Sequence, residues 1–161
     1  MRGSRTAAIL ALGLLGGLLL MVAEPSTIAS VEIPGRTCRE VAAVDAVDRC
    51  ELSGFERHGG ALLLLGALAA LMAVGAGRGQ SRPAAVALLA IGIIALGLAI
   101  LGDLPEAGEV GAIGITYEGA AGKAGMGLYL EIAGGVLLAA AGALALSSRP
   151  KAFRPADGGR P

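Results

Sequence analysis

Residues 6–23, 59–77, 83–102 and 125–146 form four runs that hold most of the Leu, Ile, Val and Ala of this chain and, between them, one charged residue, Glu131. An α-helix rises ~1.5 Å per residue and the hydrocarbon slab of a bilayer is ~30 Å thick, so roughly 17 to 25 apolar residues span it. All four runs fall in that window. A helix of a soluble bundle keeps a charged stripe toward water, and none of these runs has one. With 55% apolar residues and a mean hydropathy of +0.72, the chain carries more apolar surface than a single aqueous core encloses. The sequence therefore predicts an all-α membrane protein, a four-transmembrane-helix antiparallel bundle, with the lipid bilayer as the partner its composition demands.

The charges lie outside the runs and separate by sign. Arg2 and Arg5 precede the first run, Arg78 and Arg82 lie in the link after the second, and Arg149, Lys151, Arg154 and Arg160 follow the fourth, opposed only by Asp157. The segments after runs one and three are acidic on balance: Glu24, Glu32, Glu40, Asp45, Asp48, Glu51 and Glu56 exceed Arg36, Arg39, Arg49 and Arg57, while Asp103, Glu106, Glu109 and Glu118 exceed Lys123. Lys and Arg are retained on the cytoplasmic side, which places both termini inside. The resulting layout is a cytoplasmic N-terminus (1–5), spans at 6–23, 59–77, 83–102 and 125–146, outer loops at 24–58 and 103–124, an inner link at 78–82 and a cytoplasmic tail at 147–161. An alternative treats the first run as a secretory signal, with Arg2 and Arg5 as its n-region and Thr27-Ile28-Ala29 for cleavage. The run is longer than a signal core and is followed by Glu24-Pro25, a poor cleavage context, so a retained span is expected.

Outer loop 24–58 contains both cysteines, Cys38 and Cys50. In the assigned orientation they face an oxidising compartment, where paired thiols become disulfides, and a Cys38–Cys50 staple is expected. Thr37-Cys38-Arg39-Glu40 reads as a capping box, followed by an amphipathic pattern of Val41, Val44, Val47, Asp45 and Asp48. A helix unbroken through Cys50 would part the cysteine Cα atoms by ~18 Å, against the ~7 Å a disulfide tolerates. A turn near Asp45 reconciles the two. The second outer segment, with Pro105 and several glycines, reads as a loop with a short extended piece at residues 112–117. The Pro- and Gly-rich tail reads as disordered.

Small residues at four-residue spacing let helix backbones approach in lipid: Gly13 and Gly17, Gly66 and Ala70, Ala95 and Ala99, and Gly135, Ala139 and Ala143. An internal duplication is suggested by Glu56-x-x-Gly59-Gly60 against Glu131-x-x-Gly134-Gly135, and by Arg5-Thr6-Ala7-Ala8 against Arg82-Pro83-Ala84-Ala85. Aromatic residues make up 2% of the chain and Trp is absent, so anchoring falls to the inner arginines and the acidic outer segments.

Glu131 is the residue with chemistry inside a span, and charged residues there mark proton or ion paths. It lies six positions past Gly125, ~9 Å along the axis, which favours an interfacial carboxylate that reaches water. Asp103, His58, Arg57 and Tyr129 fall at the same outer level and could ring a polar mouth with it; ordinary boundary residues are the plainer reading. The lone His58 lacks a second His or Cys at ligand spacing, so no metal and no cofactor are expected. No nucleophile elbow, phosphate loop or zinc motif occurs, so no enzyme is expected. Basic residues are few and not interleaved with aromatics, which argues against nucleic acid.

Four spans, a large first outer loop with two cysteines and a short inner link resemble claudin-like and other tetraspan proteins in layout. A claudin adds a Trp-rich motif beside its cysteines and a tetraspanin a Cys-Cys-Gly in its second loop; this chain has neither, and no function or residue carries over. Arg in excess of Lys, with heavy Ala and Gly, points to a GC-rich bacterial genome and a plasma membrane. Two functions follow as expectations. One is a structural or accessory protein that binds another membrane protein or itself; the other is a small transporter or channel component using Glu131, with Asp103, for protons or cations.

Overall fold

The computed structural model describes residues 2–41, 50–79, 81–110 and 118–147. Helix α1, Arg2–Ala23, leads into strand β1, Thr27–Glu32, a single helical turn α2, Cys38–Val41, strand β2, Glu51–Ser53, and a short helix α3, Gly54–His58. Helices α4, Ala61–Gly77, and α5, Arg82–Gly97, follow. The latter continues through a π-helical segment, Leu98–Asp103, into α6, Leu104–Ala107. Strand β3, Ala121–Ala124, precedes the last helix α7, Met126–Leu146.

Gly3–Ala23, Arg82–Ala107 and Met126–Leu146 are long and apolar enough to cross a membrane, and Ala61–Gly77 is a shorter apolar helix of 17 residues. Helix α1 packs on α4 and α7, and α5 packs on the same two from the other side. Each packed pair is antiparallel: Gly13 meets Ala73 while Gly17 meets Gly66, and Gly92 meets Ala139 while Gly135 meets Leu96. The backbones are in contact at these points, since a Cβ on Gly17 would stand 2.7 Å from the Gly66 carbonyl oxygen and one on Gly16 2.9 Å from that of Gly134. Gly13, Gly17, Gly66 and Gly135 were expected at such faces; Gly16, Gly92 and Gly142 join them, whereas Ala143 is exposed. Leu20, Leu88, Leu138, Ala73 and Ala141 fill the space between the helices. On the outward faces Leu64, Leu71 and Leu101 are 73%, 67% and 81% exposed, an apolar exterior that suits lipid and not water.

The all-α expectation is corrected at one end, where the chain forms a three-stranded sheet of order β2-β1-β3. Both pairings are antiparallel, with Ala29 opposite Leu52 on one side and opposite Ala124 on the other. The β-branched Thr27, Ile28 and Val31 suit a strand, and buried Ile28 joins Ala99, Ala107 and Leu128 in a second apolar cluster that seats the sheet on the helix ends. No periodicity was long enough to announce these strands. The extended piece expected at 112–117 and the tail from 148 lie outside the described residues.

Cys38 and Cys50 are bridged, with Cα atoms 5.7 Å apart. Helix α2 is described from Cys38 to Val41; the amphipathic pattern beyond it and the turn expected near Asp45 lie outside the described residues. Glu40 turns back on Thr37, whose backbone N–H donates to Oε2 at 3.1 Å. Replacing both cysteines with serine should cost about 3 kcal/mol, the loop entropy of a staple of this size. Unfolding in detergent with and without reductant checks this, and an unchanged transition would deny the bridge any structural weight.

The loop expected from Asp103 onward is helical as far as Ala107. In a regular α-turn the ring of Pro105 would strike the carbonyl four residues back. The wider π-turns at Leu98–Asp103 relax that spacing, so the helix passes the proline instead of stopping. The suggested duplication does not extend to the backbone: Gly59 and Gly60 have φ of 60° and 95° in a turn, whereas Gly134 and Gly135 lie inside α7.

Candidate functional site

The sheet end of the helices gathers the buried charge found among the described residues: Glu24, Asp103 and Glu131 are 0%, 1% and 0% exposed. Each is delivered by a different element, and α3 organises all of them. That helix begins at Ser53, whose hydroxyl accepts from the Glu56 N–H while the Glu56 carboxylate accepts from the Ser53 N–H at 2.8 Å. This Ser-x-x-Glu box was not singled out in the sequence. The Ser53 backbone N–H, and then its hydroxyl, hold the Glu56 carboxyl below the usual carboxylate range. In its last turn α3 presents Arg57 and His58.

Gly59 and Gly60 then take left-handed backbone, a conformation that costs a β-carbon about 1 kcal/mol or more and glycine nothing. The chain thereby turns into α4 with its first N–H groups aimed inward and no side-chain cap of its own. Glu24, directly after α1, supplies the cap. Its Oε1 accepts from Gly60 N–H at 2.6 Å and its Oε2 from Leu62 N–H at 2.9 Å. A carboxylate on a helix N-terminus meets both unpaired donors and the positive end of the helix dipole. Sequence reading set Glu24 among loop charges. The clue was the pairing of an acid at the end of one apolar run with a Gly-Gly, lacking Ser or Asp, at the start of the next.

Asp103 lies at the end of the π-helical segment. Arg57 Nε donates to Oδ1 at 3.1 Å, and His58 Nε2 stands 3.1 Å from Oδ2. Arg57 also donates to the Gly102 carbonyl at 3.2 Å and reaches Glu106 Oε2 at 3.5 Å. Both Asp103 oxygens are therefore satisfied.

Glu131 is not. It enters from the second turn of α7 with its Oε2 4.0 Å from His58 Nε2, and neither of its oxygens has a hydrogen-bond partner among the described residues. The expectation that the Glu131 carboxylate reaches water is thus corrected: the residue is fully buried between the helices, beside His58 of α3. Tyr129, two residues earlier and so on the other side of the helix, is 59% exposed and takes no part. The structure brings Glu131, Asp103 and His58 together, with one potential ligand atom of each within 4.8 Å of the others.

The charge count decides what this arrangement can do. Helix α4 answers Glu24, and Arg57 with His58 answers Asp103, which leaves Glu131 enclosed without a counter-charge. An unpaired buried carboxylate costs several kcal/mol, a cost that a bound proton or another cation would remove. At the opposite end of the helices the chemistry is different in kind: Arg5 Nη2 donates to the Leu144 carbonyl at 2.7 Å and to Ser147 Oγ at 2.6 Å, closing the C-terminus of α7. Compared with the known protein families, the curated proteins and the solved structures, the chain matches none.

Proposed function

We propose that the chain is a bacterial plasma-membrane protein of four spans that takes up a cation at the sheet end, as a small transporter or channel component, with no catalytic step. The observation that carries the reading is Glu131: a carboxylate between helices, stripped of water and of hydrogen bonds, beside His58 and Asp103. A carboxylate facing headgroups would have argued for a purely structural role. Helix α4 serves as the fourth span because its 17 residues cover ~25 Å, at the short end of what crosses hydrocarbon. The arginine-rich ends lie inside and the sheet outside by the asymmetry of Lys and Arg. Retention of α1 is supported by what cleavage after Ala29 would remove, namely the Glu24 cap and half of the central strand. Labelling of the C-terminal tail from outside intact cells would overturn the orientation.

Glu131→Gln should abolish cation flux in proteoliposomes while leaving the folded particle intact, because neither carboxylate oxygen holds another residue in place. Unchanged flux would remove the transport reading. A second reading, an accessory protein that binds another membrane protein or a second copy of itself, is favoured by the packing below the cluster. There Leu20, Leu62, Leu88 and Leu138 are fully buried and the helix backbones touch, a plug of apolar side chains across any axial path. Affinity capture from gently solubilised membranes that yields one dominant partner or a homo-oligomer, with no flux, would favour this second reading.

A further inference from the structure

We propose that His58, Asp103 and Glu131 form a site for a divalent transition metal of the zinc class. The proposal rests on the cation-binding reading above and names the ion. One imidazole nitrogen with two carboxylate oxygens is the donor set that zinc and its first-row neighbours take, whereas calcium and magnesium prefer oxygen alone. The three ligands come from α3, the π-helical segment and α7, so an ion at their centre ties together elements far apart in sequence.

The geometry is close to what such an ion needs. Bonds of about 2.0 to 2.1 Å in a tetrahedron place ligand atoms ~3.3 Å apart. His58 Nε2 is 3.1 Å from Asp103 Oδ2 and 4.0 Å from Glu131 Oε2, and no pair exceeds 4.8 Å. Closing on an ion requires Glu131 to move by about an ångström, on the scale of a change in its side-chain torsions. Its carboxylate breaks no hydrogen bond in doing so. The ion takes over the contact that His58 Nε2 makes with Asp103 Oδ2.

The surroundings supply the remaining parts of a metal site. Arg57 holds the other oxygen of Asp103, and Glu106 balances Arg57 at 3.5 Å; outer partners of this kind orient the ligands and carry much of the affinity. His58 has a side chain only 8% exposed, while Arg57 and Glu106 at 33% and 42% form the rim toward solvent. Three protein ligands leave a coordination position open, the arrangement of an exchangeable ion.

The chain contains a single histidine, which makes the test specific. Protein without a histidine tag, stripped with chelator and held in nanodiscs, is titrated separately with Zn²⁺, Co²⁺, Cu²⁺, Ca²⁺ and Na⁺. One equivalent of Zn²⁺ should bind. Co²⁺ should develop the visible absorption of a low-coordinate site, and the Cu²⁺ resonance should show coupling to one nitrogen. His58→Gln should abolish that coupling and, like Glu131→Gln, weaken Zn²⁺ binding ~100-fold or more, at least the cost of losing an outer partner; thermal unfolding of each apo variant confirms that it is folded. Zn²⁺ binding unaffected by His58→Gln in a folded variant overturns the proposal. Binding of Na⁺ or Ca²⁺ that needs Glu131 but not His58 overturns it too, while the cation reading stands. No binding of any of these ions overturns the metal site, and proteoliposomes that in addition carry no Glu131-dependent proton flux overturn both readings.

Discussion

Replacing Gly92 with leucine should prevent the helices from assembling. A β-carbon at this position would lie 2.7 Å from the Gly135 carbonyl oxygen and 2.9 Å from the Ala139 Cα. Those are backbone atoms of the facing helix and cannot swing aside. The larger side chain is accommodated only by parting α5 from α7, which also breaks the contacts of Gly135 with Leu96 and of Gly142 with Leu89. Overpacking a close-packed core costs about 1 to 3 kcal/mol when side chains can adjust. Here they cannot, and a loss of about 3 kcal/mol or more is expected, enough to consume much of the stability of a small domain. Unfolding in mixed micelles with increasing dodecyl sulfate measures it. Gly97→Leu is the control, because a β-carbon there meets nothing within 4 Å and helix propensity favours the change. Equal effects of the two substitutions would show that close backbone approach does not hold this array together.

The second large effect is expected at Glu24. Its replacement by alanine leaves the N–H groups of Gly60 and Leu62 unpaired at a buried helix end. Each orphaned donor costs about 1 to 3 kcal/mol, and loss of a negative charge from the N-terminus of a helix adds several tenths or more. A total of about 2 to 7 kcal/mol is expected by the same unfolding measurement. Glu24→Gln retains one acceptor but turns an amide donor toward a backbone donor, so it should fall between wild type and alanine. The contrast with Glu131→Gln, which leaves no bond broken, separates a structural carboxylate from a binding one. If Glu24→Ala proved neutral and Glu131→Gln severe, the roles assigned to the two acids would have to be exchanged.

The apolar runs were legible because spanning hydrocarbon is a one-dimensional requirement: enough consecutive oily residues, with charge excluded. The cysteine pair, two thiols within one segment between apolar runs, was legible too, as were the glycine faces of α1 and α4. The sheet was not legible. Its strands have six, three and four residues, too few for alternation to register, and β1 is strand only because β2 and β3 arrive on either side. The continuation of the helix from α5 through the π-helical segment past Pro105 was missed for a related reason. A proline reads as a stop unless the preceding turns widen, and here the widened turns lie where Ala99 and Ala107 pack against Ile28 of the sheet.

At the candidate site the residue types were legible and their roles were not. Glu131, Asp103 and His58 stood out by charge near apolar runs, yet height along a helix axis says nothing about azimuth, and azimuth separates a carboxylate in headgroups from one enclosed behind α3. Glu24 escaped notice because its partners are backbone N–H groups 36 and 38 residues away, which carry no signature in side-chain identity. By itself, then, the sequence determined which segments leave water, since transfer free energy adds residue by residue along the chain. Only the tertiary structure decided which buried charge is answered and which is left waiting, because compensation depends on distances between atoms that the chain order does not contain.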